Sequence, residues 1–259
     1  TSKEYITQQF SENFILYLPR DVVSGDFYWM YRNENKVLWT VADCTGHGVP
    51  GAFMSMIGVS LLNEVVIENG FEHTDEVLWQ LRYRLNQALN KTGATKLREG
   101  MDLSFCSMDL ETKQLEISGA RNAVWILKKS TLISDDFRTS IETNRQITIT
   151  DSDNEYSIVE FKGDRQPIGY HKTKNEDSFT KFIYQLDDGD IVYQLTDGYV
   201  DQKGGQKNGK FFPARLKDVL FSIIDQDLSK QETILKEEFQ KWKGNFEQID
   251  DVCIMGVKI

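Results

Sequence analysis

Lys36-Val37-Leu38-Trp39-Thr40-Val41-Ala42-Asp43-Cys44-Thr45-Gly46-His47-Gly48-Val49-Pro50-Gly51-Ala52 changes character twice within seventeen residues. Its first part is nearly continuous apolar sequence, which reads as a strand. The strand runs straight into an acid, Asp43, and then into a turn carrying Gly46 and Gly48. Pro50 opens a helical pattern, a favoured first-turn position for proline. Ala52, Phe53, Met56, Ile57, Leu61, Val65 and Val66 then make one apolar face. The stretch therefore predicts a carboxylate at the end of a strand, beside a glycine-rich loop that starts a helix.

Working outward, Asp26–Arg32 is aromatic, follows Gly25, and is joined to the first stretch by the polar turn Asn33-Glu34-Asn35, so the two read as a hairpin. A second helix is expected from a Thr74 cap, with Val77, Leu78, Leu81, Leu85 and Leu89 on its buried stripe. Residues 101–128 fit short strands in a meander, and 129–163 a long exposed hairpin or insertion. Strands follow at 182–184 and 191–195, and a helix over about 213–225. A further helix is expected from Ser229, with Glu232 completing a capping box, and a last strand runs from Val252 to Ile259. Residues 1–13, with Tyr5, Ile6, Phe10 and Phe14, suit the tail of a helix arriving from upstream. This gives an expected 1–20 linker or switch segment and a single α+β domain over 21–259.

Composition narrows the function. The 259 residues carry a net charge of −10, with 40% hydrophobic and 27% charged residues, which is ordinary for a globular chain. An acidic surface repels phosphate backbones, so nucleic acid is not an expected partner. Cys44, Cys106 and Cys253 are odd in number and far apart, as suits reduced, mostly buried thiols in a cytoplasmic protein. No stretch approaches 18 consecutive apolar residues, so no direct membrane contact is expected, although a parent protein attached through an upstream part stays compatible with that.

Four acids share one setting. Asp43 ends a strand, Asp197 follows Ile191–Leu195 within Thr196-Asp197-Gly198, Asp250-Asp251 precede the final strand, and Asp26 opens another. Each adjoins glycine or a second acid. Such strand ends can meet at one rim of a sheet, where clustered carboxylates repel one another unless cations are bound. Hard oxygen donors, with only three His in the chain, point to Mg2+ or Mn2+ rather than zinc. Gly204, Gly205 and Gly209 suggest a mobile loop near Asp197.

In this order, Ser24-Gly25-Asp26-Phe27-Tyr28, Ala42-Asp43-Cys44-Thr45-Gly46-His47-Gly48-Val49-Pro50-Gly51-Ala52, Thr196-Asp197-Gly198 and Asp250-Asp251 resemble the metal-dependent PPM (protein phosphatase 2C-like) protein phosphatases, in the bacterial SpoIIE-like branch. The resemblance covers almost the whole chain. It implies a four-layer sandwich of two central antiparallel sheets flanked by helices. It also implies two Mn2+ or Mg2+ ions, with Asp43 bridging both, the Cys44 carbonyl on one, and Asp26, Asp197 and Asp250 completing the set. Asp251 would support the ligands, as would Gly25, Gly46, Gly48 and Gly198. The implied reaction is hydrolysis of phosphoserine or phosphothreonine in a regulatory protein by a water activated between the cations. An anti-sigma-factor antagonist-like regulator is one such substrate, and an upstream sensor or dimerising region is a further implied partner. His47 is either a general acid for the leaving oxygen or a structural residue of its loop. Asp102 is a turn acid or a holder of a further cation, and Arg20, Arg121 and Arg165 lie near the motifs. Two other functions stay open: a two-metal phosphoesterase on a small phosphate or nucleotide, and a non-catalytic signalling module.

Overall fold

Alternation along the strands sorts their side chains into separate layers. In the computed structural model, which describes residues 1–90, 99–152, 155–169, 178–206 and 208–259, Val37, Trp39 and Val41 enter one apolar cluster while Leu38 and Ala42 enter another. The chain runs α1 (Lys3–Gln9), β1 (Asn13–Leu18), β2 (Phe27–Asn33), β3 (Lys36–Cys44), α2 (Gly48–Leu62) and α3 (Thr74–Asn90). It continues through β4 (Gly100–Asp109), β5 (Gln114–Ala120), β6 (Val124–Lys129), α4 (Asp135–Ile141), β7 (Ile147–Asp151), β8 (Tyr156–Phe161) and β9 (Ile168–Gly169). It closes with β10 (Phe182–Gln185), β11 (Ile191–Leu195), α5 (Gly198–Asp201), β12 (Lys203–Gly204), β13 (Gly209–Lys210), α6 (Pro213–Ser222), α7 (Leu228–Lys243) and β14 (Val252–Lys258).

Two antiparallel sheets form the centre. One has the order β1-β14-β11-β6-β8-β7, the other β10-β5-β4-β3-β2 with β9 added to β4. The cluster between them holds Trp39, Val41, Cys106, Ile126, Val192, Cys253 and Met255. A second cluster packs α2 and α3 on the β3 sheet through Met54, Leu62, Val77, Leu81 and Phe105. A third packs α6 and α7 on the β14 sheet through Phe14, Tyr193, Leu220, Phe239 and Ile254. The result is the expected four-layer sandwich, and losing a fully buried Trp39 side chain from its centre would cost about 3–5 kcal/mol.

The structure corrects several readings. Asn13–Leu18 is an outer strand paired along its length with β14, so the sheet takes in part of the segment expected to be a separate linker. The meander divides: β4 and β5 pair in one sheet, but β6 joins the other. Arg121, at φ 65°, stands in the turn where the chain changes sheets. Over 129–163 the expected hairpin forms, β7 pairing with β8, but it belongs to the first sheet rather than lying exposed, with Val159 and Phe161 buried. Ser229 is not a cap, because α7 starts one residue earlier with Asp227 at its N-cap. Glu232 instead meets Lys3. Gly204 and Gly209 pair in a small hairpin rather than an open loop, and the backbone at Gly205 hydrogen-bonds the Trp242 carbonyl. Helix α2 continues through π-helical turns (Asn63–Glu68) into a 21-residue helix that by length and composition alone suits a membrane crossing. Here Met54, Leu61, Leu62, Val65 and Val66 on it are buried in the sandwich.

Candidate metal centre and active site

The inward-facing rows of the strands end in polar residues at one rim. On β3 the row Val37, Trp39, Val41 continues to Asp43. Asp43 lies directly across from Asp102 on β4, whose row runs through Ser104 and Cys106. Asp26 precedes β2 on the row of Tyr28 and Met30. From the facing sheet, β11 ends its row Val192, Gln194 with Thr196, and β14 begins its row with Asp251 before Cys253. The same alternation that builds the core thus delivers acids from both sheets to one place.

Hydrogen bonds fix the frame. Thr196 Oγ1 donates to Asp26 Oδ2 at 2.6 Å and accepts from the Cys253 amide at 2.9 Å. The Asp26 amide donates to Ser24 Oγ at 3.0 Å. Asp251 is buried and acts as a clamp: its Oδ1 accepts from the Arg20 amide at 2.7 Å and its Oδ2 from the Gly25 amide at 2.8 Å. Thr45 ties the loop after β3 to Gly100, its amide donating to the Gly100 carbonyl at 2.9 Å. Two glycines allow close backbone approach. A Cβ at Gly51 would lie 2.2 Å from the Gly46 carbonyl oxygen, and one at Gly198 would lie 1.9 Å from the Asp251 carbonyl oxygen.

The electrostatics show what the cluster lacks. Burial first, then the charges of Asp26, Asp197, Asp250 and Asp102, push the Asp43 carboxyl up to about 10. Burial and the neighbouring acids Asp251, Asp250 and Asp197 raise Asp26 well above the usual range, against the opposing Thr196 hydrogen bond. Asp197 is raised by burial and by Asp201 and Asp250, and shares a hydrogen bond with Asp43. Asp250 is raised chiefly by burial, with His47 and Arg20 opposing. Asp102 is raised by burial despite its 3.3 Å ion pair with Arg121.

Among the described residues, no three His, Cys, Asp or Glu side chains are gathered closely enough to enclose an ion as they stand. The donor set nevertheless fits divalent cations. It is all oxygen, partly buried, and has more negative charge than the neighbouring basic groups offset.

The structure brings Asp26, Asp43, Asp197, Asp250 and Asp251 together, with Gly25, Gly46 and Gly198 in the surrounding backbone. Cys44 closes β3 with its thiol buried and pushed up by that burial. His47 stands at the N-cap of α2 between Gly46 and Gly48, and its Nδ1 bonds Asp21 Oδ2 at 2.9 Å. Arg20 spends its guanidinium on the Ile249 carbonyl, Arg121 pairs with Asp102, and Arg165 is exposed. Sequence reasoning missed Asp21, Thr196 and Gly51. Thr196 and Gly51 lie inside quoted motifs and had a signal, whereas Asp21 had none beyond its place in a turn.

Two antiparallel sheets between helical layers, with carboxylates of both sheets at one rim, define a phosphatase of the PP2C type. Three solved structures share the fold. The SiaA-PP2C domain of Pseudomonas aeruginosa is 25% identical with a TM-score of 0.79, covering 99% of this chain and 89% of that one. The PP2C phosphatase domain of SpoIIE from Bacillus subtilis, solved with a fragment of its regulatory domain, is 18% identical with a TM-score of 0.68, covering 95% and 62%. A serine/threonine phosphatase of S. agalactiae is 16% identical with a TM-score of 0.59, covering 95% and 99%. No match is found among curated protein sequences. Residues 33–259 match the family model described as Stage II sporulation protein E (SpoIIE), and the chain belongs to that family. Phosphatases of this kind are hydrolases of bacterial signalling and generally use Mn2+ or Mg2+.

Proposed function

We propose that this chain hydrolyses phosphoserine or phosphothreonine in a regulatory protein, at a centre where Asp26, Asp43, Asp197, Asp250 and the Cys44 carbonyl hold two Mn2+ or Mg2+ ions. The observation that supports it most is the gathering of Asp26, Asp43, Asp197 and Asp250 from both sheets at one rim, where burial first and then mutual repulsion disfavour the charged carboxylates. When bound, the cations neutralise phosphate charge and lower the pKa of a water that attacks phosphorus. The chain's own groups set the geometry around that chemistry. Thr196 fixes the Asp26 carboxylate, Asp251 holds the 20–25 loop, and Gly25, Gly51 and Gly198 let the backbone segments that carry the acids pack directly on one another. No side-chain nucleophile is required, and the buried Cys44 thiol is unsuited to the part. The regulator would be of the anti-sigma-factor antagonist kind, and an upstream regulatory region would accord with the regulatory-domain fragment reported for the Bacillus subtilis SpoIIE structure.

The test is a panel of phosphopeptides, nucleotides and p-nitrophenyl phosphate, assayed with Mn2+, with Mg2+ and with EDTA. Phosphopeptide turnover that needs the cation is expected. Full activity after metal stripping refutes the cation centre, and a preference for nucleotides favours the small-phosphate reading.

A further inference from the structure

We infer that Asp21 is a positioning residue for His47, holding the ring to which the family resemblance gives proton delivery to the departing serine or threonine oxygen. This rests on the phosphatase reading above. Asp21 Oδ2 lies 2.9 Å from His47 Nδ1. That contact leaves Nε2 as the ring nitrogen open to a substrate. The Gly46 carbonyl, one residue before His47, packs so closely on Gly25 beside Asp26 that a Cβ there would lie 2.5 Å from it, so the loop that carries the ring borders the acidic rim.

Several features hold the pair in this arrangement. Gly46 at φ 88° and Gly48 at φ 62° adopt left-handed conformations on either side of His47, which place it at the first residue before α2. His47 makes no side-chain cap bond there, so its ring is not consumed by the helix. A Cβ at Gly48 would come within 3.2 Å of Asp21 Oδ2, so the bare glycine leaves room for the carboxylate. The loop that carries Asp21 is gripped at both ends by Asp251, through the amides of Arg20 and Gly25. The Arg20 guanidinium turns to the Ile249 carbonyl and does not compete for Asp21.

The step balances as follows. Water oxygen bonds to phosphorus while the bond from phosphorus to the serine oxygen breaks, and its electron pair goes to that oxygen. The proton on Nε2 passes to the same oxygen, releasing neutral serine. The ring is left neutral, its remaining proton still on Nδ1 and donated to the Asp21 carboxylate, and a proton released by the attacking water reloads Nε2. Asp21 acts by holding the ring in one tautomer and orientation, as a carboxylate does behind a catalytic imidazole.

The pair is half-exposed, with side-chain exposures of 47% and 46%, and an exposed ion pair contributes little to folding. Its removal therefore tests chemistry rather than stability. The experiment compares wild type, Asp21→Ala, Asp21→Asn, Asp21→Glu, His47→Ala and the double variant Asp21→Ala/His47→Ala on a phosphoserine peptide and on p-nitrophenyl phosphate, at saturating Mn2+. A serine alkoxide needs a proton to leave and p-nitrophenolate does not. Expected are a fall in kcat of about tenfold or more on the peptide for Asp21→Ala and Asp21→Asn, and less than about twofold on p-nitrophenyl phosphate. Asp21→Glu should recover part of the peptide rate, and the double variant should be no slower than His47→Ala. Equal losses on both substrates, no loss on either, or additive losses in the double variant overturn the inference. A leaving-group split in His47→Ala without one in Asp21→Ala removes Asp21 alone from the mechanism. Absence of cation-dependent turnover in wild type refutes the phosphatase reading itself. If Asp21→Ala fails to fold, the isosteric Asp21→Asn carries the test.

Discussion

Asp43→Asn should change how stability depends on pH in the cation-free protein, as well as abolishing turnover. In the folded chain the Asp43 carboxyl is pushed up to about 10, from an ordinary 3.8, by burial and by the acids around it. The folded state therefore binds this proton more tightly than the unfolded chain. The stability it brings is fully present below about pH 4 and is lost progressively as pH rises toward 10. Each pH unit inside that window costs about 1.4 kcal/mol, so going from pH 6 to pH 8 costs about 2.7 kcal/mol for one such group. For a domain of this size that corresponds to a fall in Tm of roughly 5–11 °C. Asp26 and Asp197 are raised too and titrate with Asp43 as a set, so the wild type should fall by at least this much. Asparagine removes one member. Thermal melts in EDTA should therefore show the variant gaining about 2.7 kcal/mol relative to wild type between pH 6 and pH 8. Saturating Mn2+ should remove the wild-type slope, since cations take the place of the protons, and should raise the wild-type Tm more than that of the variant. If the gap between the two proteins does not widen with pH in EDTA, the acids do not repel one another as described.

Asp251→Ala should lower stability by about 2–4 kcal/mol, because the Arg20 and Gly25 amides lose their acceptor. It should also weaken Mn2+ binding, measured by calorimetry; unchanged affinity would show that the 20–25 loop does not position Asp26. Gly51→Ala puts a Cβ 2.2 Å from the Gly46 carbonyl and should cut turnover at least tenfold with the protein still folded by circular dichroism, whereas wild-type turnover would mean that the loop yields freely. Cys44, Cys106 and Cys253 are buried with their thiols pushed up, so iodoacetamide at pH 8 should label none of them until denaturant is added; mass spectrometry counts the adducts.

The sequence carried the strands around the acids clearly, because apolar runs such as Val37–Ala42 and Ile191–Leu195 stop abruptly at aspartate. It carried the layers through the resemblance, and the structure shows why alternation serves both core and site. It concealed β1, since Asn-Phe-Ile-Leu-Tyr-Leu is apolar on both faces and Phe10 and Phe14 stand at helical spacing. In fact Ile15 faces the other sheet while Phe14 and Leu16 face the α7 side. Ser229 and Glu232 have the spacing of a capping box, but Asp227 takes the cap position and the helix begins before the serine. Asp21 stayed hidden because its partner is 26 residues away and only the folded loop brings them together. Asp102 was legible as an acid near the site, yet its place opposite Asp43 depends on the β3–β4 register.

The acids of the rim are supplied at widely separated points along the chain, from Asp26 to Asp251, and by sheets that share no strand. Synthesis therefore leaves the centre unfinished until close to the end of this sequence. Before residues 250–258 emerge, β1 and β11 lack the strand that lies between them, the 20–25 loop lacks its clamp, and Thr196 lacks the amide of Cys253. Without β14 the rim lacks Asp250 and Asp251, however well the earlier hairpins have formed. The acidic rim is thus a readout of one long-range event, the insertion of β14 between β1 and β11, rather than of the earlier local hairpins.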